Sequence, residues 1–410
     1  MTTIMTHNTI NIKKTLKLAS GEEISNFDIA YNTYGKLNEA RDNVILIMHA
    51  LTGDQYVLGK HPISGKSGWW DDVVGKGQII DTNKYYVICS NILGGCMGSF
   101  GPASINPLTG DPYGLDFPII TIRDMVMAQN LWLEELGIDK LYACVGGSMG
   151  GMLALEFSSL NPTRVENTVI IASASRHSAQ NIAFHEIGRQ AIMADPNWKG
   201  GKYTSDTKPA KGLSVARMTA HITYMSEESL QEKFGRNLQN KNNISYGFDA
   251  DFQVESYLRH QGVAFSDRFD ANTYLYITRA MDYFDMEEEY GKNLSAIFKS
   301  STSRFLIISF SSDWCYPTDE SKYIVRALNV AGIDVSFLEI ETAKGHDAFL
   351  LDEPEFKQAL KGFIAESELI SPISQGEPLS MLDSIFTSAK FRGFAKLLGF
   401  GKNKNIAESN

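Results

Sequence analysis

Nothing in this chain restricts its fold as tightly as the stretch Cys144-Val145-Gly146-Gly147-Ser148-Met149-Gly150-Gly151-Met152. An apolar run, Leu141 to Val145, leads into it, and a helix-prone run, Leu153 to Phe157, leads out. A serine flanked two residues away on both sides by glycine, between a strand and a helix, is the pattern of a nucleophile elbow. The turn is so sharp that flanking side chains would collide, and glycine has no Cβ to collide. Ser148 would then project from the strand end, with the positive end of the next helix beneath the reacting centre. The competing reading is a glycine-rich turn that merely packs a strand on a helix. The strand–turn–helix context favours the elbow.

The surrounding pattern predicts where that elbow sits. Residues 1–42 read as β-rich, with alternation over Ile10 to Leu18 and Phe27 to Tyr34 and turn signals at Gly21 and Gly35. Asn43 to Met48 and Lys84 to Ser90 are continuous apolar runs, as expected of parallel strands covered on both faces. Helical periodicity follows over Thr121 to Gly137, then the elbow strand, then a strand over Thr168 to Ala172. From Arg176 to Lys299 no long strand run occurs. Helix-like stretches appear instead, broken by Pro196, Gly200-Gly201, Pro209 and Gly262. Strands return at Arg304 to Phe310 and Val335 to Ile340, with helices near Asp319 to Ala331 and Glu353 to Ile364. The expected architecture is α/β: a mostly parallel, doubly wound sheet with helices on both faces, built from residues 1–175 and 300–366. Residues 176–299 form an inserted helical cap over its active edge. Residues 367–410 form an extension, in which Leu379 to Leu398 could make a basic amphipathic helix that packs on protein or, less readily, lies on a membrane surface.

Composition narrows the function classes. A net charge of -10 argues against a general nucleic-acid binder, though a local basic channel for a small anion stays compatible with it. Four cysteines in 410 residues give no disulfide framework, and without a CxxC pair no metal site is expected. Met1 to Lys14 holds no apolar targeting core, and no 18-residue apolar run occurs. The expectation is a soluble, cytoplasmic chain with no membrane partner.

A serine hydroxyl needs a base to take its proton and an acid to orient that base. In folds with this elbow the partners follow in the order serine, acid, histidine. Of the eight histidines, His346 alone lies beyond the resumed sheet, in Ala343-Lys-Gly-His346-Asp347 just past the last strand. His49 lies near the same sheet edge but precedes the serine, so it reads as structural. Asp313, in the turn after Arg304 to Phe310, is the stronger candidate acid; Asp319 and Glu320 fall where the next helix begins and read as first-turn residues. An oxyanion hole needs two backbone N–H groups. Met149, after the nucleophile, supplies one, and Leu51 in the turn His49-Ala-Leu51-Thr52-Gly53 is the candidate for the other, with Gly53 letting the loop turn.

With those residues assembled, Gly146 to Glu156, His49 to Asp54 and Gly345 to Leu350 together closely resemble the homoserine O-acetyltransferases of the α/β-hydrolase fold. The segment Ala216-Arg217 to Tyr224-Met-Ser226 is similar to that family's cap, and the likeness runs from about residue 10 to 365. The resemblance implies a ping-pong transfer of acetyl from acetyl-CoA, as co-substrate, to L-homoserine for methionine biosynthesis, with no cofactor. It further implies that Arg217 grips the homoserine carboxylate, Asp347 the ammonium, and that Tyr224 assists. Taken without it, Arg217 reads as a surface salt-bridge residue and Asp347 as a helix N-cap. The resemblance also implies a homodimer through the cap helices. A succinyl donor, a serine acceptor and plain ester hydrolysis remain open alternatives.

Overall fold

The computed structural model describes residues 7–370. Strands form where the apolar runs predict them: β1 (Asn8–Ile12), β2 (Phe27–Tyr34), β3 (Val44–Met48), β4 (Tyr86–Ser90), β5 (Leu141–Gly147), β6 (Val165–Ile171), β7 (Arg304–Phe310) and β8 (Val335–Ile340). They join in one sheet of order β1-β2-β4-β3-β5-β6-β7-β8. β1 pairs antiparallel with β2, and β2 with β4; every later pairing is parallel. The continuous apolar runs have a simple cause. In β3, Val44, Leu46 and Met48 enter one hydrophobic cluster, while Ile45 and Ile47 enter another on the opposite face. All five are buried, each stabilising the fold by roughly 1.5–3 kcal/mol.

Helices α1 (Ile122–Glu135), α2 (Met149–Leu160) and α10 (Thr318–Ala331) contribute to the first cluster, and α11 (Pro354–Ile370) to the second through Phe356, Leu360 and Phe363. The start of α1 is fixed by a capping box: Thr121 Oγ1 accepts from Asp124 N–H, and Asp124 Oδ2 accepts from Thr121 N–H at 2.8 Å.

Between β6 and β7 lie the seven helices α3 (Ala179–Met193), α4 (Ala210–Tyr224), α5 (Glu227–Lys233), α6 (Gln253–Ser266), α7 (Ala271–Asp282), α8 (Met286–Tyr290) and α9 (Leu294–Phe298). The breaks at Pro196, the glycine pair and Pro209 fall between α3 and α4 as the sequence suggests, but Gly262 lies inside α6. It breaks nothing. A Cβ there would come within 2.1 Å of Ser214 Oγ on α4, so glycine lets the two cap helices approach. Through Ile364 the described chain forms one compact unit, with the cap inside it. The amphipathic segment expected at Leu379 to Leu398 lies outside the described residues. No helix among the described residues is long and apolar enough to cross a membrane.

Candidate active site

The elbow forms where β5 meets α2. Ser148 occupies φ 58°, ψ -126°, a backbone conformation that costs a non-glycine residue strain and is held only by its surroundings. Those surroundings leave no slack. A Cβ on Gly146 would lie 2.0 Å from Gly150 O, and one on Gly150 would lie 2.1 Å from Met48 O. The two glycines therefore let the turn close on itself and seat against the end of β3. Ser148 N–H donates to Ile171 O at 2.9 Å, and Ser173 Oγ donates to Ser148 O at 2.8 Å, tying the serine to the neighbouring strand end. Ser148 itself is buried.

The histidine loop arrives from β8. A Cβ on Gly147 would meet the Phe349 ring at 2.6 Å, so the segment carrying His346 packs directly on the elbow. His346 Nδ1–H donates to Asp313 Oδ2 at 2.8 Å. The other carboxylate oxygen, Oδ1, accepts the N–H groups of Cys315 and Tyr316, each at 2.9 Å. Both side chains are buried. Burial favours the neutral ring, but the carboxylates of Asp313 and Asp347 outweigh it and raise the His346 pKa. With Nδ1 holding the proton, Nε2 is left as the accepting nitrogen, as a general base requires. Asp319 and Glu320 lie in the first turn of α10, as their positions predict.

The remaining sheet edge belongs to the loop after β3. Gly53 N–H donates to Ala50 O at 2.8 Å, making the turn that carries Leu51. Gly53 is there for space and not for a positive φ: a Cβ would sit 2.9 Å from His49 Cβ. Arg268 Nη1 donates to Thr52 O at 3.0 Å and steadies the loop from the cap. Met149 is the first residue of α2, so its N–H has no intrahelical acceptor. Leu51 lines the same cavity as Ser148. His49 is structural: Nδ1–H donates to Ala50 O at 2.8 Å, and Nε2 accepts from Ile92 N–H at 3.3 Å.

A strained serine, a buried Asp–His pair and the Leu51 turn at one edge of the sheet could serve many acyl-transfer enzymes. Comparison with known proteins narrows the field. Residues 43–353 match the model of the alpha/beta hydrolase fold family. A homoserine O-acetyltransferase from Mesorhizobium japonicum is 61% identical over 355 residues, covering 86% of this chain and 91% of that protein. This chain belongs to the homoserine O-acetyltransferase family. Among solved structures, the homoserine O-acetyltransferase of Bacillus anthracis is 29% identical with a TM-score of 0.80, covering 88% of this chain and 98% of that one. Esterase E22 is 30% identical with the same TM-score of 0.80, covering 88% of this chain and 100% of that one.

In this member of the homoserine O-acetyltransferase family, Arg217 is no surface salt-bridge residue: it forms no ion pair among the described residues. Its guanidinium lies 4.9 Å from the Phe265 ring and 5.6 Å from the Tyr224 ring, and Nη1 reaches Thr52 Oγ1 at 3.5 Å. Asp347 does not cap its short helical turn, which opens at Gly345 without a side-chain cap. Among the described residues its carboxylate has no hydrogen-bond partner. Burial raises its pKa, against the pull of His346 and Arg217. The Tyr224 ring lies 5.6 Å from the His346 ring, tilted by 38°, and lines the serine's cavity.

Sequence reasoning missed the cap's own contribution to that cavity: His177, Asn181, His185 and Tyr274 line it with Ser148, joined by Tyr316 from the loop after β7. Asp282 joins three of the cap's polar groups. It accepts from His185 Nδ1–H at 2.8 Å and His177 Nδ1–H at 3.2 Å, and pairs with Arg189 Nη1 at 2.7 Å. The His177, His185 and Asp282 ligand atoms lie within 4.8 Å of one another, close enough for a metal ion. Without one, the carboxylate already has the Arg189 ion pair at Oδ2 and two imidazole N–H donors at Oδ1. No spacing signal could have joined residues on α3 to the end of α7.

Proposed function

We propose that this chain moves an acetyl group from acetyl-CoA to the hydroxyl of L-homoserine through an acyl-Ser148 intermediate, in the pathway to methionine. Ser148 Oγ attacks the thioester carbon while His346 Nε2 takes its proton, and the charge on oxygen rests on the Leu51 and Met149 N–H groups. Collapse breaks the C–S bond, and the departing sulfur takes the proton from His346. Homoserine then gives its hydroxyl proton to His346 and attacks the acyl carbon, and the serine leaves reprotonated. Asp313 holds the ring in the needed tautomer throughout. The substrates supply all the atoms and electrons, so the reading calls for no cofactor.

The observation that carries a transferase reading is the Arg217 and Asp347 pair. A guanidinium and a carboxylate, neither in an ion pair among the described residues, stand beside the base, one on the cap and one next to His346. Together they match an acceptor with an α-carboxylate and an α-ammonium. Ester hydrolysis is the second reading, supported by the likeness to esterase E22, and it leaves that pair without work. The deciding experiment follows thiol release from acetyl-CoA with and without L-homoserine, with succinyl-CoA and L-serine as controls. Release that depends on homoserine is expected; equal release without acceptor overturns the transferase reading.

A cytoplasmic location and a homodimer through the cap belong to the same proposal. Four free cysteines support the first. Exposed Ile187, Val215, Ile222 and Val263 on α3, α4 and α6 support the second, and light scattering on the purified protein tests it.

A further inference from the structure

The cavity above Ser148 has a polar wall that the reaction just described does not use. On that wall nearly every hydrogen-bonding group is already committed. His177 donates from Nδ1 to Asp282, and its Nε2 accepts from Tyr316 O–H at 3.2 Å. Asn181 Nδ2 donates to Cys315 O at 2.8 Å, and Thr223 Oγ1 donates to Ala220 O at 2.7 Å. His185 is the exception. Its Nδ1–H donates to Asp282 at 2.8 Å, which leaves Nε2 as the ring nitrogen with no partner among the described residues. Across the same face of α3, Tyr274 O–H also has no partner among the described residues. Its oxygen lies 2.8 Å from where a Cβ on Gly188, one turn beyond His185, would stand. Away from Ser148 and Tyr224, the cavity thus offers an acceptor at His185 and a donor at Tyr274.

We infer that His185 Nε2 and the Tyr274 hydroxyl form a subsite for an amide in the arm of the acyl donor, and that His185 makes the enzyme select donors carrying that amide. The inference rests on the acyl-transfer reading above. The thioester carbon must reach Ser148 Oγ, so whatever is attached to its sulfur occupies the rest of this cavity. In coenzyme A that attachment is two methylenes followed by an amide, whose N–H suits His185 and whose carbonyl suits Tyr274. His185 is a specificity residue with no part in bond making. Asp282 positions it.

Two thioesters of similar size separate this from a structural role. S,N-diacetylcysteamine carries the amide two methylenes from sulfur, and S-butyl thioacetate lacks it. Acylation of the wild-type protein should favour the first by about 10–100-fold in kcat/KM, the range expected for one buried hydrogen-bonded amide. His185→Leu should erase that preference while leaving the rate with S-butyl thioacetate within about threefold, and His185→Gln, which restores an acceptor, should recover part of it. Equal wild-type rates on the two thioesters overturn the subsite while leaving acyl transfer intact, and this arm needs no variant to fold. An equal fall on both donors in His185→Leu overturns it as well. Failure of both thioesters and acetyl-CoA to acylate Ser148 would bring down the transferase reading and this inference together.

Discussion

Asp313→Asn is the sharpest single test of the site. The two oxygens of Asp313 have different partners. Oδ1 accepts two backbone N–H groups, from Cys315 and Tyr316, and Oδ2 accepts only His346 Nδ1–H. An asparagine must choose which group faces which partner. Turning its NH2 toward the backbone would set it against two N–H donors and lose two hydrogen bonds, each leaving a buried group unpaired at about 1–3 kcal/mol. Its oxygen therefore keeps the backbone pair, and its NH2 faces His346. Nδ1 must then accept, the ring proton moves to Nε2, and the base can no longer take the proton of Ser148. The wrong tautomer in such a triad costs about 10⁴-fold in kcat, or about 5.5 kcal/mol. Thiol release from acetyl-CoA with saturating homoserine measures the loss. Nitrogen-15 shifts of the His346 ring report the tautomer independently. A variant that keeps more than a tenth of wild-type kcat, or loses activity with Nδ1 still protonated, refutes the reasoning. Because the shape is unchanged, the melting temperature should move by only a few degrees.

Other expectations follow from the same geometry. Ser148→Ala should lose about 10⁴-fold or more in kcat and yield no acyl-protein by mass spectrometry, since the residual catalysis comes from binding and the oxyanion hole alone. Arg217→Ala should lower kcat/KM for homoserine by roughly 10–100-fold, the worth of a charge-assisted pair; an equal drop in acylation by acetyl-CoA would assign Arg217 another job. Because Asp313 and Asp347 raise the His346 pKa, the base is neutral only above a pH higher than an ordinary histidine's value of about 6.5. Acylation rate should therefore fall as pH drops through that raised value, and Asp347→Asn should shift the acid limb to lower pH; an unmoved limb excludes the coupling. Glu156 on α2 is buried, with Tyr290 O–H donating to it at 2.9 Å, and burial, aided by Glu289, pushes its carboxyl up to about 7. The folded protein then holds a proton that the unfolded chain releases, so stability should decline by about 3 kcal/mol as pH rises from about 4.5 to 7. Glu156→Gln should flatten that decline in urea titrations at pH 5 and pH 8; identical curves for the two proteins would mean the carboxyl is already charged at neutrality.

What could be read from the chain was whatever the backbone encodes locally or in order. β7 lies where its apolar run begins and ends, because from Phe305 to Phe310 it is buried on both faces; β8, at the edge of the sheet, keeps its expected limits although Ser336 and Glu339 are exposed. The Asp313–His346 pairing was legible for another reason: one serine fixes one edge of the sheet, and the order of the chain leaves few residues that can return to it. Arg217 and Asp347 were not legible by physics. A lone arginine on a helix and an aspartate after a histidine have ordinary uses, and only family likeness separated them from those uses. Gly262 misled because a glycine inside a helix looks like a break until the crossing partner, Ser214, is known. The cavity wall of His177, His185, Tyr274 and Tyr316 was invisible for a similar reason: its members come from the segment before α3, from α3 and α7, and from the loop after β7, joined only by the tertiary fold.

The cap meets the histidine loop backbone to backbone. Gly345 has φ 71°, and a Cβ there would lie 2.6 Å from Tyr224 O and 2.8 Å from Ser226 N at the end of α4. Ser226 Oγ also donates to Ala343 O, on the same loop as His346. A cover bolted to the base cannot swing open there without carrying the base out of register. The same joint gives a route for inhibition from a distance, since any molecule that pries α4 from residues 343–345 would disarm His346 without ever entering the cavity.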